Sequence, residues 1–256
     1  VPTGIPGFDE LVQGGFPKGS GILVTGAPGT GKSIFGLQFM YNGAHQWGES
    51  GLYVSFEQSP QELRQQGLLF GWDFEPLEKI SKAKFVTIPV DLPRLDVFDY
   101  IKEAAAAVGA ERIVIDSLSI FGVNAEMYSI PLAINLEEQE RQYRMARGRA
   151  ASAQITGGAE GKRERLVYLF VRKVKDLGAT VTYVSDAPPQ GSQYWSRDTV
   201  SEFACDGVVK LDALLVGTSP VRMVTVHKMR STRVDTSPHV YSITDGRGIT
   251  VEKGQG

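Results

Sequence analysis

The sequence predicts an α/β fold, a mostly parallel central sheet flanked by helices and continued by an antiparallel C-terminal strand extension. Three observations lead there. Short apolar runs rich in β-branched residues alternate with longer amphipathic segments up to about residue 206, the pattern of βαβ units around a buried parallel sheet. Beyond that point, strand-like runs follow one another with no helix between them. Finally, a glycine-rich turn, Gly26 to Ser33, separates the first apolar run from the first amphipathic segment. That is where α/β folds place a ligand-binding turn.

The strands are expected at Ile22–Thr25, Leu52–Phe56, Phe85–Ile88, Arg112–Asp116 and Thr180–Ser185. Helices fall between them, at about 32–46, 60–70, 94–108 and 163–177. The second helix has a strong start signal: Ser59 as N-cap, Pro60 at the first helical position and Glu62 to close a capping box. Gly178 suits the left-handed position after the last helix. The C-terminal strands are expected at Gly207–Asp212, Val221–Met229, Val240–Thr244 and Ile249–Glu252. Two stretches break the alternation. Residues 121–162 are too long for an ordinary connection and are expected to carry an inserted helix and loop. Residues 186–203, with Pro188-Pro189-Gln190-Gly191 ahead of Tyr194-Trp195, read as an exposed loop.

Composition narrows the function classes. At 256 residues, 42% hydrophobic and 22% charged, the chain suits one globular domain spanning 1–256. A net charge of −2 gives no global field for nucleic acid. The basic exception is local: Arg141, Arg144, Arg147, Arg149, Lys162, Arg163 and Arg165 face only Glu160 and Glu164 within 141–165. A single cysteine, Cys205, excludes an intrachain disulfide and a Cys-rich metal site, and reads as a small core residue. His45, His227 and His239 share no metal-ligand spacing. No apolar run approaches the roughly 20 residues of a membrane span, so no membrane contact is expected, and the single cysteine fits a cytoplasmic protein.

Gly26-Ala27-Pro28-Gly29-Thr30-Gly31-Lys32-Ser33 satisfies G-x-x-x-x-G-K-[ST] in full. The glycines let backbone N–H groups turn onto phosphate oxygens, and the following helix adds the positive end of its dipole. Lys32 is expected at the β and γ phosphates and Ser33 on Mg²⁺, with ATP as the nucleotide. Ile113-Val114-Ile115-Asp116 is an apolar strand ending in a carboxylate, which suits Asp116 to orient water on the same ion. Glu57 follows a strand end as well, and its type and position fit either a base polarising the attacking water or a solvated surface Glu. Tyr194-Trp195 fits either a base-stacking platform or, more ordinarily, a packing anchor or subunit contact.

Several stretches, taken in order, resemble the KaiC/RecA-like ATPases, and KaiC domains more than the recombinases. Thr3-Gly4-Ile5-Pro6-Gly7-Phe8-Asp9-Glu10-Leu11 and Gly14-Gly15-Phe16-Pro17-Lys18-Gly19 are similar to the family's opening motif. Ser55-Phe56-Glu57-Gln58-Ser59-Pro60-Gln61-Glu62-Leu63, followed by Phe70-Gly71-Trp72-Asp73, resembles its catalytic-glutamate stretch. Asp116-Ser117, Lys228-Met229-Arg230 and Ile243-Thr244-Asp245 match later motifs. The resemblance implies a RecA-like P-loop NTPase fold and a hydrolytic role for Glu57. It also implies that Lys228, Arg230 and Asp245 face the nucleotide of a neighbouring subunit. One departure stands out, Glu57-Gln58 where KaiC domains often carry two glutamates.

The implied function is a slow ATPase working at the subunit interfaces of a homo-oligomeric ring, a hexamer, and coupling hydrolysis to conformational change or to a protein partner. A recombinase-like DNA-binding ATPase is the alternative, favoured by the basic 141–165 stretch and opposed by the net charge. A Ser/Thr autokinase is the third. It lacks the hydroxyl pair expected after the strand at 180–185, where the chain has Asp186-Ala187-Pro188-Pro189.

Overall fold

The computed structural model describes residues 1–89, 96–128, 159–189, 191–216 and 219–252. Nine strands form one sheet: β1 (Gly21–Gly26), β2 (Gly51–Ser55), β3 (Ala83–Thr87), β4 (Arg112–Asp116), β5 (Thr180–Asp186), β6 (Gly207–Val216), β7 (Ser219–Met229), β8 (His239–Thr244) and β9 (Gly248–Val251). Their order across the sheet is β3-β2-β4-β5-β1-β6-β7-β8-β9. The first six in that order are parallel to their neighbours, and β6 to β9 pair antiparallel. All the expected strands are present, with ends shifted by one or two residues except in the β6–β7 hairpin, where β6 runs four residues further.

The helices are α1 (Lys32–Trp47), α2 (Pro60–Leu68), α3 (Glu75–Lys79), α4 (Val97–Val108), α5 (Leu118–Asn124), α6 (Ala159–Lys175) and α7 (Ser201–Ala204). The capping box of α2 is complete: the Glu62 N–H donates to Ser59 Oγ and the Ser59 N–H to Glu62 Oε2 at 2.7 Å. Gly178 has φ +83°, as its C-terminal position requires. Asp96 caps α4, its carboxylate accepting from the Asp99 N–H, and the helix begins at Val97, three residues later than the sequence suggests. Three helices were not expected. α3 and α7 span only five and four residues, too short for periodicity to show. α5 is seven residues, capped by Ser117, and takes up the first residues of the stretch read as an insertion. The rest of that stretch, including Arg141, Arg144, Arg147 and Arg149, lies outside the described residues.

Strand alternation sorts the apolar side chains into two cores, one on each face of the sheet. Leu23, Leu52, Val54, Ile113, Ile115, Val181 and Val208 pack with α4, α5 and α6. Ile22, Val24, Tyr53, Val114, Val209 and Leu211 pack with α1, the N-terminal segment and the antiparallel strands. With both faces covered, the strands read as continuous apolar runs, which made them legible. Among the described residues no helix is long and apolar enough to cross a membrane.

Candidate functional site

Register builds the site. Gly26, the last residue of β1, pairs with Asp186, the last residue of β5, and Asp116 at the end of β4 pairs with Ser55 at the end of β2. Strand ends thus deliver Asp186, Asp116 and, two residues past Ser55, Glu57 to one edge of the sheet, around the turn that follows Gly26. This is the crevice at the carboxyl ends of the strands where open α/β sheets bind ligands.

The turn at Gly26 depends on having no side chain. A Cβ there would lie 2.3 Å from the Leu211 carbonyl oxygen and 2.6 Å from Thr30 Oγ1. Gly31, the residue ahead of α1, has φ +94°, a left-handed conformation that L side chains rarely adopt. The N–H groups of the first turn of α1 have no acceptor within the helix, so the loop presents donors and the positive helix end together.

Lys32 is buried and held on three sides. Its ammonium donates to the Gly26 carbonyl at 2.9 Å and the Ala27 carbonyl at 3.1 Å, and pairs with Asp186 Oδ1 at 3.2 Å. Asp116 is buried beside it. Tyr53 donates its hydroxyl to Asp116 Oδ2 at 2.6 Å, and Ser33 stands near enough to favour the charged carboxylate. Burial raises the Asp116 pKa, while Tyr53, Ser33 and Lys32 oppose the rise. Burial, then Asp116, push the Tyr53 phenol well above its ordinary range, so it stays a donor. Glu57 is exposed at the rim, its backbone tethered through its N–H to Ser55 Oγ at 3.2 Å. Its pKa is raised by partial burial and then by Asp116 and Asp186, with Lys32 opposing.

The donor set suits Mg²⁺. A serine hydroxyl beside a carboxylate offers hard oxygen ligands, the kind that Mg²⁺ prefers. The described residues contain no cluster of three or more His, Cys, Asp or Glu arranged to hold a metal by themselves. A site made from Ser33, Asp116 and substrate phosphate fits that finding.

Lys228 and Arg230 lie elsewhere. Gly207 pairs with both Ile22 and Met229, so the end of β7 sits at the opposite edge of the sheet from Gly26. Four residues of strand separate the two levels, about 13 Å. There the Lys228 ammonium donates to the Glu202 carbonyl at 2.5 Å and Arg230 pairs with Asp206 at 3.2 Å. The Asp206 carboxylate also accepts from the Gly21 N–H and pairs with Lys175 at 2.5 Å. Neither cation can serve the phosphate loop of its own chain.

Ile243-Thr244-Asp245, which the resemblance implies faces a neighbour's nucleotide, closes β8 at the phosphate-loop edge of its own chain. A Cβ on Gly31 would fall 2.7 Å from Ile243 Cδ1, and Tyr241, two residues before Ile243, donates to the Thr30 carbonyl at 2.5 Å. The reason is the antiparallel return of the chain: β7 runs away from the loop and β8 runs back to it.

Sequence reasoning missed Asp186 and Tyr53. Asp186 had a usable signal, since it ends an apolar strand just as Asp116 does. Tyr53 had none, because an aromatic in a buried strand is ordinary core. Trp195 proves a packing anchor, half-buried and stacked on His227 with ring centres 4.7 Å apart, while Thr25 donates to its carbonyl at 2.6 Å. Cys205 is fully buried, and burial pushes its thiol far above the ordinary range.

Comparison with known proteins agrees with this geometry. A family model described as the KaiC ATPase matches residues 1–130 and 153–256. A UPF0273 protein of Methanocaldococcus jannaschii is 31% identical over 98% of this chain and 95% of its own length. The circadian clock protein KaiC2 of Synechocystis is 28% identical over 98% of the chain, which spans 39% of that longer protein. The crystal structure of a KaiC-like protein from Pyrococcus horikoshii superposes with a TM-score of 0.75 at 32% identity, covering 99% of this chain and 98% of that one.

Proposed function

Because this chain belongs to the KaiC family of ATPases, we propose that it binds Mg-ATP on the Gly26–Ser33 loop and hydrolyses it slowly, with Glu57 activating the attacking water. The observation that supports this most is the strand register, which brings Lys32, Ser33, Asp116 and Glu57 to one edge of the sheet. Lys32 would neutralise charge on the β and γ phosphates from a buried position, where its field is least screened. Mg²⁺, bound through Ser33 and Asp116, would supply the remaining neutralisation of the phosphate oxygens. Tyr53 keeps the Asp116 carboxyl fixed. Glu57 would accept a proton from water as its oxygen attacks the γ-phosphorus, ADP departing as leaving group.

On this reading the site is shared between chains: Lys32 lies in the phosphate loop, whereas Lys228 and Arg230 lie at the other sheet edge. In a ring, a hexamer by family resemblance, that edge of one subunit would face the phosphate loop of the next. An arginine supplied this way contributes about 10³–10⁵ in rate, or about 4–7 kcal/mol off the barrier. Gln58 supports a slow rate, because it leaves Glu57 as the one carboxylate where many relatives have two.

Two variants test the division of labour. Lys32→Ala should lose nucleotide affinity, having lost a charge-assisted contact. Glu57→Gln should bind as the parent does and turn over about 10²–10⁴-fold more slowly. Parent-rate hydrolysis by Glu57→Gln would remove Glu57 from the mechanism.

A further inference from the structure

Asp186 belongs to no motif that identifies the site, yet its carboxylate is the anion nearest the phosphate-binding lysine. The Lys32 ammonium has three donors and three partners: two backbone carbonyls and Asp186 Oδ1 at 3.2 Å. A phosphate oxygen can approach Lys32 only by displacing one of them. The carbonyls belong to the phosphate loop and move only if the loop deforms, so the partner to leave is the carboxylate.

Asp186 is aimed at Lys32 by the backbone around it. Its own N–H donates to Ser119 Oγ at 2.7 Å, its carbonyl accepts from the Arg197 N–H at 3.0 Å, and the next residue, Ala187, donates to the Gly26 carbonyl at 3.0 Å. A carboxylate pinned at these points, with a side chain only 32% exposed, is no chance surface contact. It also stands within electrostatic reach of Glu57 and Asp116, raising the pKa of both.

We propose that Asp186 is an affinity-setting residue of this site: its carboxylate occupies Lys32 in place of phosphate, and nucleotide binds only by displacing it. The inference rests on the nucleotide-binding reading above and adds a determinant to it. An anion is exchanged for another anion at Lys32, so part of the attraction of the loop for phosphate is offset before the nucleotide arrives. The displaced carboxylate then remains near the incoming phosphates and opposes them. Asp186 thus weakens binding of any nucleotide carrying a phosphate at Lys32, with or without a divalent cation.

The test is Asp186→Asn, which keeps shape and one acceptor oxygen and removes the charge. Dissociation constants for ATP and ADP, each with Mg²⁺ and with EDTA, would be measured by calorimetry alongside the thermal midpoint without nucleotide. The expected result is binding about tenfold tighter for both nucleotides under both conditions. The nucleotide-free midpoint should fall, because Lys32 becomes a buried cation without its anion. Asp186→Ser, shorter and uncharged, should tighten binding in the same direction. Unchanged affinity in both variants would reduce Asp186 to a structural residue and overturn the inference. Weakening confined to Mg²⁺ would make it a partner of the metal and overturn it equally. If the wild-type chain binds no nucleotide, the premise fails with the inference. If it binds and neither variant binds more tightly, only the inference fails.

Discussion

Glu57 shows how placement tunes a single carboxyl group. Partial burial disfavours its charge, and the carboxylates of Asp116 and Asp186 disfavour it further; Lys32 alone pulls the other way. Its pKa therefore lies above the ordinary glutamate value. If Glu57 activates water it must do so in its charged form, so activity should be retained above that raised pKa and lost as pH falls through it. Asp116 is raised as well, chiefly by burial, and its charged form is the one that would serve Mg²⁺. The acid limb of kcat/KM should therefore fall at higher pH than a solvated glutamate would give. A limb at the ordinary carboxylate value would show that these neighbours do not act on Glu57 in the working enzyme.

At the scale of the element, α1 is held by one buried cation. Arg112, at the start of β4, is fully buried beneath this helix. Its Nε donates to Glu49 at 2.6 Å, Nη1 donates to the Phe39 carbonyl at 2.8 Å, and the guanidinium lies 4.6 Å from the Phe39 ring centre and 5.2 Å from that of Trp47. Gly43 makes room for it: a Cβ there would fall 2.3 Å from Arg112 Nε and 2.4 Å from its Cδ. Gly-to-Ala inside a helix ordinarily gains about 1 kcal/mol. Here the methyl group must displace a guanidinium whose bonds cannot be remade nearby, and breaking a buried pair costs about 3–5 kcal/mol. The clash wins. Gly43→Ala should lower stability by about 2 kcal/mol or more, a fall in Tm of roughly 4–8 °C by calorimetry. A rise in Tm would mean that Arg112 can shift without losing Glu49.

At the scale of the whole molecule, the sheet separates two chemistries. The phosphate loop and the carboxylates occupy one edge; Lys228 and Arg230 occupy the other, tied to Glu202 and Asp206. If Arg230 acts on a neighbour's nucleotide, Arg230→Ala should bind ATP and hydrolyse it poorly. Mixed with Glu57→Gln subunits it should regain activity, because some interfaces then pair an intact Glu57 with an intact Arg230. Absence of rescue, once subunit exchange is demonstrated, would place the complete site within one chain. Arg230 is more than half exposed, so its pairing with Asp206 is weak and can be exchanged for a phosphate.

The sequence by itself determined the elements and the phosphate loop, because both are local. Strands covered on two faces write themselves as apolar runs, α2 is announced by its cap, and Gly26 to Ser33 is one continuous turn whose residue types follow from backbone geometry. Lys32, Ser33, Asp116 and Glu57 could be proposed from sequence because each lies inside such a segment or at or just past the end of a strand. Tertiary structure decided what depends on residues far apart in the chain. The pairing of Gly26 with Asp186 across 160 residues set an acid on Lys32. Tyr53 became a partner of Asp116 only because β2 and β4 are neighbours. The reversal between β7 and β8 sent Lys228 and Arg230 to one edge of the sheet and Asp245 to the other, although sequence spacing makes them look like one group. Register and strand direction are relations between segments, fixed by which faces are buried together, and no single segment carries them.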